Sequence, residues 1–395
     1  MHILHITPYF APAWAYGGPV RVVYEIARRA AARGHTVTLL TTDALDAAHR
    51  APTGEEWVEG IRVLRLPNLS NTLAWRRIFL PRGFKRALRT CLPSVDVVHM
   101  HEFRSMLNAQ ALQPLLRQGI PYVLSPQGGL PRELGRSHYK VVFDALYGRR
   151  LLAHAAALHA IAPLEEHQYA ALGFTPERVV TIPNGIDPVA LPEPDLLAFR
   201  ARFAIPPRSP VIGFVGRLNA IKGVHVLVEA FALLHSERPD ALLMLVGPDD
   251  GARPALEARV AALGMADHVR FIGYLGDDES KAAAYRICAA CVLPSRYEGL
   301  GITALEALLN GVPTVVSDRV GAADLDELRG LLAVFPYGDA PALAGHLNIL
   351  LSNPEPAQVL AARAREVVST HLNWDALTER WLLVYNNCLE RPAAH

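Results

Sequence analysis

Charge is what this chain has least of. Lys and Arg number 39 against 38 Asp and Glu, a net +1, and charged residues make up only 19% of the chain. A protein that wraps nucleic acid normally carries a basic surplus to neutralise phosphates, so that class is excluded for the chain as a whole and any basic patch is local. Long apolar runs are missing as well: no uninterrupted stretch reaches the ~18 residues needed to cross a bilayer. The amino terminus, Met1-His-Ile-Leu-His-Ile-Thr-Pro, has neither a positive n-region nor a long h-region. It reads as a strand, and the protein is expected in the cytoplasm, at most at the inner face of a membrane. Cysteine is scarce: Cys91, Cys288, Cys291 and Cys388 are the four. Cys288 and Cys291 have C-x-x-C spacing, but no second pair completes a zinc site and their neighbours are apolar. They are expected to be buried small residues at a helix-to-strand junction. Histidine is plentiful at 16, yet no His/Cys spacing has the form of a metal site, and no metal or other cofactor is expected. No repeat of roughly 20–50 residues is visible.

What is present is enough apolar material, 51% of 395 residues, for two α/β domains. Short apolar runs alternate with helix-period segments, the pattern of βα units on parallel sheets. Strands are expected at Ile3–Thr7, Thr36–Thr41, Val95–His99, Tyr122–Ser125, Ala157–Ile161 and Val179–Ile182 in the first half. The second half offers Val211–Val215, Leu242–Val246, Val269–Ile272, Cys291–Pro294, Thr314–Ser317 and Leu331–Phe335. Prolines crowd the stretch between them, so the expected division is a first domain 1–187, a linker 188–208, a second domain 209–372 and a terminal segment 373–395. The fold class is α/β, two doubly wound Rossmann-like domains facing a cleft, where ligands of open α/β sheets bind. The amphipathic helix Trp374–Leu389 is expected to pack back on the first domain.

Three segments carry chemistry. Tyr16-Gly-Gly-Pro-Val20 precedes a helix: Gly17 and Gly18 let backbone approach a ligand, proline suits the first turn, and free N–H groups attract phosphate. A bare strand–turn–helix is the plain alternative. The second segment is Val211-Ile-Gly-Phe-Val-Gly-Arg217-Leu-Asn-Ala-Ile-Lys222-Gly. Cations near a helix amino terminus oppose its dipole unless an anion lies between them. A guanidinium can fork onto a phosphate and an ammonium can act as a point charge. The third is Pro294-Ser-Arg-Tyr-Glu298-Gly-Leu-Gly-Ile-Thr-Ala-Leu-Glu306. Gly299 and Gly301 open the backbone where a helix begins, Glu298 stands in the loop, and Glu306 is placed about two turns along the helix. Carboxylates there can accept hydrogen bonds from sugar hydroxyls.

On these residues, with Asn184-Gly-Ile-Asp187, the chain resembles the retaining glycosyltransferases of group 1, family four, with the GT-B fold. The resemblance spans nearly the whole chain. It implies that Arg217 and Lys222 hold the donor diphosphate and act in catalysis. Glu298 would contact the donor sugar, with a catalytic part, and Glu306 the ribose. Backbone at Gly299, Leu300 and Gly301 would line sugar and phosphate, backbone near Tyr274 would meet the base, and Gly17 and Gly18 would close over the phosphates. The substrates implied are a UDP- or GDP-sugar and a hydroxyl acceptor, free or lipid-linked, in polysaccharide or glycolipid synthesis, without a metal.

One position departs from the family pattern. Relatives carry a histidine after the fourth strand of the first domain, where this chain has Ser125-Pro-Gln127. A glutamine amide cannot act as a general base at neutral pH. Acceptor-side candidates are therefore His101, Glu102, Gln127 and Arg132, with a packing role open for His99. The stretch Trp75–Arg89 mixes basic and apolar residues. It suits either an anionic membrane surface or a helix packed on its own domain. Two other readings stand beside the transferase: a nucleotide-sugar epimerase of similar fold, and a non-catalytic two-domain sugar-binding protein.

Overall fold

A computed structural model describes residues 1–131, 137–188 and 193–390; Arg132 therefore lies outside the described residues. The chain forms two compact units. The first comprises Met1–Gly185 with Trp374–His395, the second Ile186–Asn373. The stretch read from sequence as a linker thus belongs to the second unit from Ile186 on, and it carries a helix, Leu196–Arg202, capped by the Asp195 side chain.

The first unit is built on eight strands: β1 His2–Ile6, β2 Thr36–Thr42, β3 Gly54–Val58, β4 Ile61–Leu66, β5 Val97–His101, β6 Tyr122–Ser125, β7 Ala157–Ala160 and β8 Val179–Thr181. Their order is β3-β4-β2-β1-β5-β6-β7-β8. Every pair is parallel except β3–β4. The β3–β4 hairpin is absent from the sequence reading. β3 is nearly all exposed, and β4 alternates buried Ile61, Val63 and Arg65 with half-buried Arg62, Leu64 and Leu66, so neither makes a continuous apolar run. Its turn is Glu59-Gly60, both at positive φ, the geometry of tight hairpins. β5 also begins two residues later than the reading placed it, which puts His99 inside the strand.

The second unit holds β9 Val211–Val215, β10 Leu242–Val246, β11 Val269–Gly273, β12 Cys288–Leu293, β13 Thr314–Ser317 and β14 Ala333–Phe335, ordered β11-β10-β9-β12-β13-β14, all parallel. Cys288 and Cys291 are buried in β12 around Gly213 of β9. A Cβ on Gly213 would come within 2.3 Å of the Cys288 sulfur, so these thiols fill the space of a missing side chain.

The terminal helix Trp374–Glu390 packs on the first sheet. Trp374, Leu377, Trp381 and Tyr385 are buried with Ile3, Val97 and Val123. Arg33 donates to Glu379 at 2.5 Å and to Asp375 at 3.0 Å, and Arg380 to the Thr181 carbonyl at 2.8 Å. Apolar burial fixes the helix, and the exposed ion pairs at its rim add little. Among the described residues no helix is long and apolar enough to cross a membrane.

Candidate functional site

In the second unit the charged motif residues gather past the carboxyl ends of β9 and β12. β9 stops at Val215 because Gly216 and Gly247 bring two loops together: a Cβ on Gly247 would lie 1.9 Å from the Gly216 carbonyl. Arg217 follows in the loop and donates to Asp250 at 3.1 Å, with Asn219 donating to the same oxygen at 2.9 Å. The Arg217 side chain is 66% exposed, so an anion can reach it. Lys222 ends a short 3₁₀ turn, Ala220–Lys222, held by the Asn219 cap. Its ammonium is mostly enclosed and pairs with the Glu298 carboxylate.

Glu298 is fixed by its own backbone. Its N–H donates to the Arg319 carbonyl at 3.0 Å and its carbonyl accepts from Gly321 at 3.0 Å. After it, Gly301 at φ +91° starts the helix Ile302–Leu309 with no side-chain cap. Glu306 is the fifth residue of that helix, little more than one turn in. The reading of two turns fails because the glycines stay outside the helix. A Cβ on Gly301 would meet Val320 at 2.6 Å and Leu293 at 2.9 Å, at a φ that side chains rarely adopt. Gly301→Ala is expected to destabilise the chain by roughly 1–3 kcal/mol, measured as a lowered midpoint in urea; an unchanged midpoint would contradict this packing.

Glu306 is doubly held: Lys281 donates to one carboxylate oxygen at 2.5 Å and the buried Tyr285 hydroxyl to the other at 2.6 Å. Tyr274, after β11, is 74% exposed. Leu300 is buried and Gly299 partly exposed. The second unit therefore places Arg217, Lys222, Glu298, the helix start at Gly301, and Glu306 in one run of loops and helix. Asp250, Lys281 and Tyr285 were missed. A signal did exist for the last two, whose four-residue spacing puts both on one helix face.

In the first unit, Gly17 at φ +91° precedes the helix Gly18–Ala32, with Pro19 in its first turn. Among the described residues nothing lies within 4 Å of a Cβ at Gly17 or Gly18, so this helix start is open among them. At the carboxyl ends of β1 and β5, Arg77 donates to the Tyr9 hydroxyl at 3.0 Å and to the Tyr16 carbonyl at 2.9 Å, and Tyr9 donates to Glu102. Burial raises the Glu102 carboxyl above its usual range, with Tyr9 and Arg77 opposing. Gln127 follows β6. Its carbonyl oxygen lies 3.4 Å from the Asn184 amide, and its own buried amide nitrogen has no partner among the described residues. Glu165 supports that turn, accepting from Gly128 at 2.7 Å and Ile161 at 2.8 Å. Burial pushes the Glu165 carboxyl up to about 7 against those two N–H groups. Among the described residues five non-glycine residues have positive φ, and three of them, Arg77, Glu102 and Gln127, belong to this edge. Such conformations cost about 1–3 kcal/mol each and persist where neighbours dictate them.

His101 is placed elsewhere than an acceptor contact requires. It is wholly buried, with its Nε2 3.0 Å from His5 Nδ1. His5, His99 and His101 have ligand nitrogens within 4.8 Å of one another, a grouping that sequence spacing did not reveal. His99 spends both nitrogens on the Tyr385 hydroxyl, 2.7 Å, and the Ser125 hydroxyl, 2.6 Å. The cluster, with His159 against Trp381, forms the polar layer under the terminal helix. In the stretch Trp75–Arg89, Phe84 and Leu88 are buried in their own domain while Arg82, Lys85, Arg86 and Arg89 are exposed. Within that stretch the helix Phe84–Cys91 turns charge, not its apolar side, outward, while Trp75 before it is exposed.

Comparison with known proteins adds to this geometry. The family of glycosyl transferases group 1 matches residues 197–367, and the glycosyl transferase 4-like domain matches residues 17–185. A D-inositol 3-phosphate glycosyltransferase of Jonesia denitrificans is 29% identical, over 98% of this chain and 95% of its own. The sucrose-phosphate synthase of Thermosynechococcus elongatus shares the fold at a TM-score of 0.74 and 23% identity, covering 98% of this chain and 99% of that one. Anabaena HepE, solved with UDP-glucose, does so at 0.72 and 19%, covering 98% and 99%.

Proposed function

The chain belongs to the group 1 glycosyltransferases of GT-B fold, and from that membership we propose that it moves a sugar from a nucleoside-diphosphate-sugar to an acceptor hydroxyl with retention at the anomeric carbon and without a metal ion. The observation that carries this reading is the Lys222–Glu298 pair beside an uncapped helix start, with the exposed Arg217 guanidinium on the neighbouring loop. Two cations and bare amides suit a diphosphate; the carboxylate suits sugar hydroxyls.

In the proposed reaction the bond from the anomeric carbon to the diphosphate oxygen breaks. The acceptor oxygen bonds to the same face, and its proton passes to the departing phosphate. Arg217 and Lys222 stabilise the charge that grows on that phosphate. Lys222 is already paired with Glu298, so a diphosphate approaching the ammonium leaves the carboxylate free to accept from the sugar. No side-chain base is needed, which accommodates Gln127. The acceptor is proposed to meet the Glu102–Gln127 edge of the first unit. The exposed cations from Arg82 to Arg89 suit an anionic, lipid-linked form of it, as in polysaccharide or glycolipid assembly.

A thermal-shift panel of UDP, GDP, ADP and their glucose and mannose esters tests the donor half of this reading. UDP or GDP at about 100 times its Kd should stabilise the binding state by about 2.7 kcal/mol. No shift with any nucleotide would remove the donor site, and an epimer formed from the donor without acceptor would favour an epimerase.

A further inference from the structure

The first sheet is covered on both faces. The terminal helix lies on one with Ile3, Val97 and Val123. Three helical segments pack on the other, where Leu4, Val98 and Leu124 point: the helix Phe84–Cys91, the helix Met106–Gln118 and the helical run 137–153, whose middle, Asp144–Gly148, is π-helical. The helix Met106–Gln118 contacts both of the others. Charge on this trio is segregated. Among the described residues it exposes six cations, Lys85, Arg86, Arg89, Arg117, Arg149 and Arg150. Its one carboxylate, Asp144, is buried against Arg104 at 2.8 and 2.9 Å. In a chain with 39 cationic and 38 anionic side chains, an outer layer of one sign is fitted to an anionic surface. The run 137–153 adds an apolar half. A surface helix of a globular protein turns polar residues outward. Here Phe143, Leu151 and Leu152 fill the core, yet Val142 is 57% exposed and Leu146 60%. Each turn exposes two neighbours: Val141 and Val142, then Ala145 and Leu146, then Arg149 and Arg150. The apolar stripe therefore ends in two guanidiniums. Arg104 ties this run to the turn after β6, donating to the Leu130 carbonyl at 3.0 Å, and Lys140 donates to the Pro131 carbonyl at 2.9 Å.

We propose that this layer is a docking surface for an anionic lipid bilayer, with Val142 and Leu146 entering the boundary between headgroups and acyl chains and the six cations resting on headgroup phosphates. Apolar burial and charge attraction are the two contributions that peripheral helices combine at a membrane. A nucleic acid would use the cations and leave the apolar stripe in water; a bilayer uses both. The inference stands apart from the donor reading, whose residues belong to the second unit. Docked this way, the bilayer lies beside the turn that carries Gln127, the edge proposed for the acceptor.

Co-sedimentation of the full chain with lipid vesicles tests it. The wild type should bind vesicles of phosphatidylcholine mixed with phosphatidylglycerol about tenfold or more tightly than pure phosphatidylcholine, and salt at about 0.5 M should shrink that ratio. Val142→Ser with Leu146→Ser, and separately Arg149→Gln with Arg150→Gln, should each weaken binding to the mixed vesicles about tenfold. All four side chains are exposed, so melting temperatures should stay at the wild-type value. Arg363→Gln with Arg365→Gln, exposed cations of the second unit, should leave binding unchanged. Full binding by the serine pair overturns the apolar seat. Equal weakening by the Arg363 and Arg365 changes reduces the attraction to overall charge and overturns the assignment to this layer. No binding of the wild type to mixed vesicles overturns the proposal and leaves the layer to an acidic protein. The melting shift produced by UDP or GDP is read separately and should persist in every variant, so failure of the docking surface leaves the donor reading standing.

Discussion

Lys222→Ala is expected to lower kcat/KM for sugar transfer by about 10²–10³-fold with the fold retained. The ammonium sits at the end of a short turn with its side chain only 16% exposed. On the proposed reading, in so sheltered a place it would stabilise a departing diphosphate far better than a solvated lysine. Its removal leaves Glu298 without its cation. That carboxylate is 25% exposed and can still be hydrated, so the loss should fall on turnover and not on folding. Arg217→Ala should also lower turnover, by less, since that guanidinium is largely solvated and shared with Asp250. Release of nucleoside diphosphate from UDP-glucose or GDP-mannose with acceptor present, alongside melting curves, measures both. Full activity in the two variants would remove the diphosphate clamp.

Acidification is expected to unfold the first unit well before ordinary carboxylate protonation would. Four imidazoles, His5, His99, His101 and His159, have no exposed surface. Burial lowers His5 to about 3 and His159 to about 4, and it holds His99 and His101 well below the usual value, with their neighbouring imidazoles adding to the effect. The unfolded chain protonates them near pH 6.5, the folded chain only far lower. Between those limits the unfolded state binds more protons, so stability is complete above pH 6.5 and drains away as pH falls. At pH 5 each group costs about 2 kcal/mol. Four of them approach the whole stability of a domain. Glu165 opposes this, because a carboxyl raised to about 7 takes up its proton in the folded state first. It gains stability between pH 7 and 4.5 and offsets roughly one imidazole. Fluorescence of Trp381, which is packed on His99 and His159, reports on this layer. The melting temperature should fall steeply from pH 7 to pH 5; a flat profile would contradict neutral, buried imidazoles.

The same histidines show how far sequence reasoning reaches. His99 and His101 are two apart in one strand, so their sharing a sheet face follows from period alone. That His5 from β1, His159 from β7 and Tyr385 from the terminal helix join them does not, because those partners are distant in sequence and come together only through the strand order and the packing of the terminal helix. His101 looked like a surface candidate at a strand end, and the layer above it made it core. Glu306 was named, but Lys281 and Tyr285 were not, since only the packing of two helices brings them to its oxygens. The hairpin β3–β4 was hidden by exposure: an edge strand need not be apolar.

What the sequence determined by itself is local. Among the described residues apolar runs placed twelve of the fourteen strands, glycines marked the helix starts at Gly17 and Gly301, and Arg217, Lys222, Glu298 and Glu306 stood out as candidates for holding a diphosphate and hydroxyls. These features depend on period, on φ and on charge within a few residues. Tertiary structure alone decided which charges are paired and which are open, as with Lys222 on Glu298 and Arg217 on Asp250. It also decided that a histidine layer lies under the carboxy-terminal helix. Pairing and burial arise where distant segments exclude water together, and no short stretch of chain carries that information.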